Sequence, residues 1–458
     1  MAAIMKKATW TISLLIIPGC ILLTVLAYQL PPIKARLAPK VDDIRSRVKY
    51  AINPPDEALF IPSGSGNTAN EATPPFSTII GSTDTATPTA TRPADVATLT
   101  PEATLLPTLS PTPLPETVML DGVVYVDQHH RWNYCGPANL TMALNFWGWS
   151  GDRDDVARSV KPGIQDPSMD FIQQGRWDKN VMPYEMLDFV NDETEFSALE
   201  RQGGDLEVVK RLIAGGFPVL IEKGYYEADY TGKVAWLGHY LFTTGYDDVN
   251  GEFIVQDAYL EPGKDMRVDY TTYLDGWRSF NYLFMVIYPT YLEIDVYNLL
   301  GPFADPTWSY QNALAIAAIE TGTMTGNDAF FAWFNKGTSL VKLLQYVDAG
   351  YAYDQAFQIY EQLGDDENQR PYRIMWYQTG PFWAYYYSQR YQDVIDLANY
   401  VLDDTISEPT LEESLYWRGQ AYLALGRRDE AIADFRETVR LNPNFSPGWA
   451  ALGQLGVE

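Results

Sequence analysis

Cysteine and histidine are scarce in this 458-residue chain, which has two cysteines (Cys20 and Cys135) and three histidines (His129, His130 and His239). With one cysteine in an apolar N-terminal stretch and the other far from it, no disulfide is expected inside a folded domain. One cysteine and three histidines also fall short of a CxxC-type zinc site, so no metal centre is expected, and no organic cofactor is implied. Positive charge is short as well. Lys and Arg number 33 against 59 Asp and Glu, and a formal net charge of −26 opposes a polyanion, so nucleic acid is not an expected partner. What the chain does have is 46% hydrophobic and 14% aromatic residues, enough for a packed core at a length that suits two or three domains.

Charge is unevenly spread: residues 1–50 carry a net charge of +6 around an uncharged apolar run at 8–30. That run is long enough to cross a hydrocarbon core as a helix, and we read it as a transmembrane helix between a short tail (1–7) and a juxtamembrane segment (31–60). The tetrapeptide IPGC around Cys20 resembles a lipoprotein cleavage box, but Pro18 and the apolar run beyond Cys20 fit a span better. Positive-inside counting, with Lys34, Arg36, Lys40, Arg45, Arg47 and Lys49 after the span, would leave the C-terminal side of the span in the cytoplasm. The next segment argues the opposite. Residues 61–117 are rich in Thr, Pro, Ala and Ser with one aromatic, Phe76, and read as a disordered, extended linker. Such stalks lift domains off cell surfaces, so a membrane-anchored, single-pass protein with an extracytoplasmic folded part is expected; a plain linker on either side of the membrane is the competing reading.

Cys135 stands in RWNYCGPANLTMALNFWGW, residues 131–149. DGVVYVDQ (121–128) before it alternates like a strand, and Leu140, Ala143, Leu144 and Trp147 after it share one helical face. Cys135 is thus placed where a loop enters a helix, with Gly136 allowing close backbone approach and Pro137 suited to the first turn. Helix-start amides favour an anion, which lowers a thiol pKa and makes a reactive sulfur. Inert core filling is the competing role of a lone cysteine.

A thiolate nucleophile needs an acid/base partner. His129 and His130 lie too close along the chain for a fixed cross-cleft geometry. His239 lies in GHYLFTTGYDDVNGEFIVQDAYLEPG (238–263), where two strands joined at DDVNG can bring Asp257 beside the imidazole and fix its tautomer. A hydrogen-bonded core histidine and a turn-forming aspartate are the bland alternatives.

CGPANLTMAL, GHYLFTTGYD and the QDAY step together resemble the family 39 cysteine peptidases and their C39-like relatives, over about residues 118–290. The resemblance implies an α+β papain-like fold, Cys135 as nucleophile, His239 as general base and then acid, and Asp257 as the orienting third member. It also implies a glutamine before the nucleophile as oxyanion donor. Gln128 is the nearest match, at a slightly long spacing of seven residues, and Asn133 is a substitute donor or a loop-turn former. Exporter-fused relatives cut leader peptides after Gly-Gly, but no GxxxxGK[ST] loop occurs here, so that substrate is not carried over.

Further helices are expected at DRDDVARSVKP, NVMPYEMLDFV and DLEVVKRLIAGG, with a strand at FPVLIEKGYY, completing a domain at 118–292. Its aromatics, Trp236 among them, would line a cleft or form core. Residues 293–458 read as an all-α helical repeat domain. YWRGQAYLALGRRDEAIADFRETVRLNPNF (416–445) resembles a tetratricopeptide repeat through Gly419, Tyr422, Ala431, Phe435 and Pro443, and looser units stand at 332–363 and 375–402. Such repeats imply a protein partner or a brace on the preceding domain, with Tyr385, Tyr386 and Tyr387 as a binding stripe or ordinary packing. The combined expectation is a membrane-anchored thiol peptidase acting on a peptide or protein substrate. A transferase or amidase on the same fold, and a catalytically silent binding module or scaffold, are the alternatives.

Overall fold

The computed structural model describes residues 60–63, 113–129, 131, 133–162, 180–228, 234–363, 370–404 and 411–457. The run at 8–30 and His130 lie outside them. Among the described residues no helix is long and apolar enough to cross a membrane.

A mixed α/β domain is built on one antiparallel sheet. Its strands are β1 (Thr117–Met119), β2 (Phe196–Arg201), β3 (Val219–Ala228), β4 (Val234–Asp247), β5 (Glu252–Gln256), β6 (Met266–Asp269) and β7 (Phe284–Pro289), in the order β2-β7-β3-β4-β5-β6 with β1 on β4. The strands carry little polar alternation because helices cover both faces. Val219 and Ile221 of β3 enter one core with Leu241, Phe253 and Val286, while Leu220 enters the other with Tyr240, Phe242 and Met285. Helices α1 (Cys135–Phe146), α2 (Arg153–Val160) and α3 (Pro183–Glu193) cover the second face; α4 (Leu206–Ala214) and α5 (Tyr270–Arg278) cover the first. Asp152 caps α2 and Asp205 caps α4 through side-chain bonds to backbone amides, so both begin where acidic residues precede an apolar run.

The strand expected at 121–128 does not form. That segment is extended but joins no ladder and is held by single bonds, Tyr125 Oη to the Asp257 carbonyl (3.0 Å) and the Gln128 amide to the Ala258 carbonyl (2.7 Å). β1 instead comes earlier, pairing Thr117 with Asp247. Of the stretch 61–117 read as a linker, residues 61–63 and 113–117 are described, and 64–112 lie outside the described residues.

From residue 293 the described chain is helical. Helices α6 (Glu293–Leu300) and α7 (Pro306–Thr323) lead to α8 (Gly326–Lys342), α9 (Tyr346–Gln362), the short α10 (Ile374–Tyr377), α11 (Gly380–Tyr387), α12 (Tyr391–Asn399), α13 (Glu412–Ala424), α14 (Arg428–Leu441) and α15 (Ser446–Gln454). Tyr385 is fully buried and Tyr387 half exposed, so that run is mainly packing. Trp236 is likewise core, 1% exposed and stacked on Phe280 at 5.7 Å. Gly419 of α13 faces Phe435 of α14, and a Cβ there would lie 2.7 Å from a ring that is itself fully buried. Gly419→Ala is therefore expected to destabilise the chain by about 1–3 kcal/mol through overpacking, read as a lower melting midpoint with unchanged far-UV circular dichroism.

Candidate active site

Cys135 opens α1 with no side-chain cap and no acidic residue in the first turn, leaving the first amides of the helix free to face an anion. Gly136 lets α1 approach Val181, which a Cβ would meet at 3.1 Å. Cys135 is half-buried. Burial opposes its ionisation, but a hydrogen bond with His239, the charge of His239, the Tyr240 backbone amide and the more distant Lys161 outweigh it and hold the thiol below its usual pKa.

His239 sits on β4, 3% exposed, and its Nε2 lies 2.8 Å from Asp257 Oδ1. With Nε2 committed, the hydrogen bond to Cys135 falls to the other ring nitrogen, Nδ1. Burial pushes the imidazole pKa down; the Asp257 charge and hydrogen bond, and then Cys135, push it further up, to about 9. Asp257 comes just after β5, and its Oδ1 also accepts from the amides of Tyr259 and Leu260, each at 2.9 Å. Burial raises that carboxyl, but the His239 charge and these bonds drive it well below the ordinary range. The hairpin between β4 and β5 thus brings together the His and Asp read from the sequence, and α1 supplies the sulfur. The arrangement favours a thiolate beside an imidazolium.

Gln128 stands beside the turn after Asp257 through its amide bond to Ala258, and among the described residues its side-chain oxygen is buried without a partner. Asn133 adopts φ 46°, the left-handed conformation of a turn former, and its carbonyl accepts from Lys161 Nζ at 3.1 Å. His129 bonds the Tyr259 carbonyl through Nε2 at 3.1 Å, away from the sulfur.

Sequence reasoning missed four contributors. Lys161, fully buried at the end of α2, props the loop before Cys135 and places a cation near the thiolate. Glu222 of β3, cross-strand from Tyr240, is a buried carboxyl pushed well above its usual pKa by burial and then by the Cys135 charge. Tyr225 lies edge-on to the imidazole at 5.7 Å. Tyr377, from the helical region, packs its ring against Gly238, one residue from His239. Only Tyr225 had a signal, as one of the aromatics of β3. Among the described residues no cluster of His, Cys, Asp or Glu has the makings of a metal site.

Residues 120–285 match the model of the Peptidase_C39 like family, and residues 412–445 match that of a tetratricopeptide repeat. Two solved structures are similar. One is assigned as a C39-like peptidase from Bacillus anthracis, at 16% identity and a TM-score of 0.30 over 38% of this chain and 98% of that one. The other is xylellain, a cysteine protease from Xylella fastidiosa, at 16% identity and a TM-score of 0.26 over 39% of this chain and 87% of that one. No curated protein matches. The chain therefore carries a C39-like peptidase domain followed by a tetratricopeptide repeat.

Proposed function

We propose that the C39-like domain hydrolyses peptide bonds through Cys135, His239 and Asp257. The supporting observation is His239 Nε2 at 2.8 Å from Asp257 Oδ1, on an imidazole close enough to Cys135 to hold its thiol below the usual pKa. The Cys135 thiolate attacks the scissile carbonyl carbon, and the carbonyl electron pair moves to oxygen. His239, as imidazolium, gives its sulfur-facing proton to the amine nitrogen, the C–N bond breaks and a thioester remains. Water then attacks the thioester while neutral His239 takes its proton, and collapse of the adduct expels the thiolate. Asp257 keeps the tautomer and steadies the imidazolium.

In this scheme the Cys135 amide and the Gln128 side-chain amide receive the oxyanion. Gln128→Ala is expected to lower kcat roughly 10²–10³-fold with little change in KM, measured with a fluorogenic peptide found by library screening. Residues 8–30 anchor the chain, the peptidase domain lies on the extracytoplasmic side, and the helical repeats engage a protein partner. Shaving intact cells with protease tests the topology, since the domain would be lost from the cell pellet.

The hydrolytic reading is tested by incubating the purified full chain, and Cys135→Ala beside it, with a peptide library and with amine acceptors, analysed by mass spectrometry. New C-termini made by the parent chain alone support hydrolysis. Acceptor-linked products would move the assignment to a transferase, and unchanged peptides would leave a silent module.

A further inference from the structure

Residues 60–63, Phe-Ile-Pro-Ser, are docked on the helical region. Phe60 and Pro62 are buried while Ile61 and Ser63 face out, so the segment inserts alternate residues. The Phe60 ring, 5% exposed, meets Phe357 of α9 edge-on at 5.1 Å and Tyr385 of α11 at 6.2 Å. Ser63 donates twice to Asp393 of α12, from its amide to Oδ1 at 3.0 Å and from its hydroxyl to Oδ2 at 2.8 Å. The slot is braced independently of its occupant. Arg390 donates to Asp393 Oδ2 at 2.6 Å and forks onto Asp354 at 2.8 and 2.9 Å, and Tyr385 donates to Asp354 at 3.0 Å. An aromatic slot beside a buried, arginine-held carboxylate is a site for a peptide that offers one ring and two neighbouring donors.

We propose that this slot is a peptide-recognition site reading an aromatic-x-Pro-Ser sequence, and that its ligand is the chain's own residues 60–63. Ser63 is bonded to Asp393 and the Pro115 carbonyl accepts from the Tyr246 hydroxyl, so the described residues on either side of 64–112 are both held on folded elements. A tethered ligand acts at an effective concentration in the mM range, so a modest intrinsic affinity suffices to fill the slot. None of this depends on peptidase activity.

The test uses the full chain in detergent and a fluorescent peptide of residues 56–66. A chain carrying Phe60→Ala and Ser63→Ala has an emptied slot and is expected to bind the peptide saturably. The parent chain, whose slot is filled from within, is expected to bind about tenfold more weakly or less. Adding Asp393→Asn to the emptied chain, or Phe→Ala to the peptide, is expected to abolish binding. Equal binding by parent and emptied chains, or none by the emptied chain, overturns the proposal. Hydrogen exchange gives a second readout without added peptide: residues 353–360 and 385–394 are expected to exchange faster in Phe60→Ala than in the parent. Identical exchange in the two overturns it as well.

Discussion

Replacing His239 with alanine is expected to cut peptide hydrolysis by at least about a thousandfold and to move alkylation of Cys135 to higher pH. Two losses combine. Proton transfer by a positioned side chain is worth roughly 10²–10⁴-fold, and here it serves both formation and breakdown of the thioester. The second loss is the thiolate itself. The hydrogen bond and charge of His239 do most to hold the thiol below its usual pKa; without them burial is opposed only by the Tyr240 amide and Lys161, and the thiol pKa rises. The parent chain should therefore react with iodoacetamide at lower pH than the variant. The pH profile of the parent has its own signature. The acid limb reports the lowered thiol, and the alkaline limb falls near pH 9, where His239 loses the proton that the leaving amine needs. Stability depends on the same group: its folded pKa lies above the unfolded value, so its contribution is complete below about pH 6.5 and fades as pH rises through about 9. An alkylation profile identical in parent and variant would mean the imidazole does not govern the sulfur, and the hydrolytic mechanism would fall with it.

How much of the fold and the site was legible in the sequence depends on how local each signal is. Cys135 could be placed at a helix start because Gly-Pro and an apolar helical face come directly after it, and His239 and Asp257 could be paired because one tight turn separates their strands. The segment at 121–128 misled because alternation alone does not make a ladder, and among the described residues no strand pairs with it. Lys161, Glu222 and Tyr377 were invisible for another reason. A lysine at a helix end or a glutamate in a strand ordinarily faces water. Only the packing of α2, β3 and α10 around the nucleophile turns these residues inward. Phe60 was read as the last residue of a juxtamembrane segment, since nothing near it in sequence forms the slot it fills.

Asp257 offers the sharper test, because two substitutions there are expected to diverge by orders of magnitude. Asp257→Ala removes the acceptor for His239 Nε2 and for two backbone amides, all of which sit at Oδ1, and leaves a buried imidazole without its partner. The expected cost is about 3–5 kcal/mol of stability together with near-complete loss of hydrolysis. Asp257→Asn differs because those amides dictate which way the carboxamide turns. The Tyr259 and Leu260 amides require an oxygen at the Oδ1 position, so the new amide nitrogen is forced to the Oδ2 position, where the carboxylate has no partner. The oxygen then still accepts from Nε2–H, Nδ1 remains the atom facing sulfur, and the tautomer is kept. What disappears is the negative charge that lifts the imidazole pKa. The alkaline limb should move toward neutral pH, with kcat at its new optimum reduced about ten- to a hundredfold rather than the ~10⁴-fold that a wrong tautomer costs. A buried amide nitrogen without an acceptor adds about 1–3 kcal/mol of destabilisation. Should the asparagine variant be as inactive as the alanine variant across pH 5–9 while still folded, the carboxylate charge itself would be required, and orientation by the two backbone amides would not account for the role of Asp257.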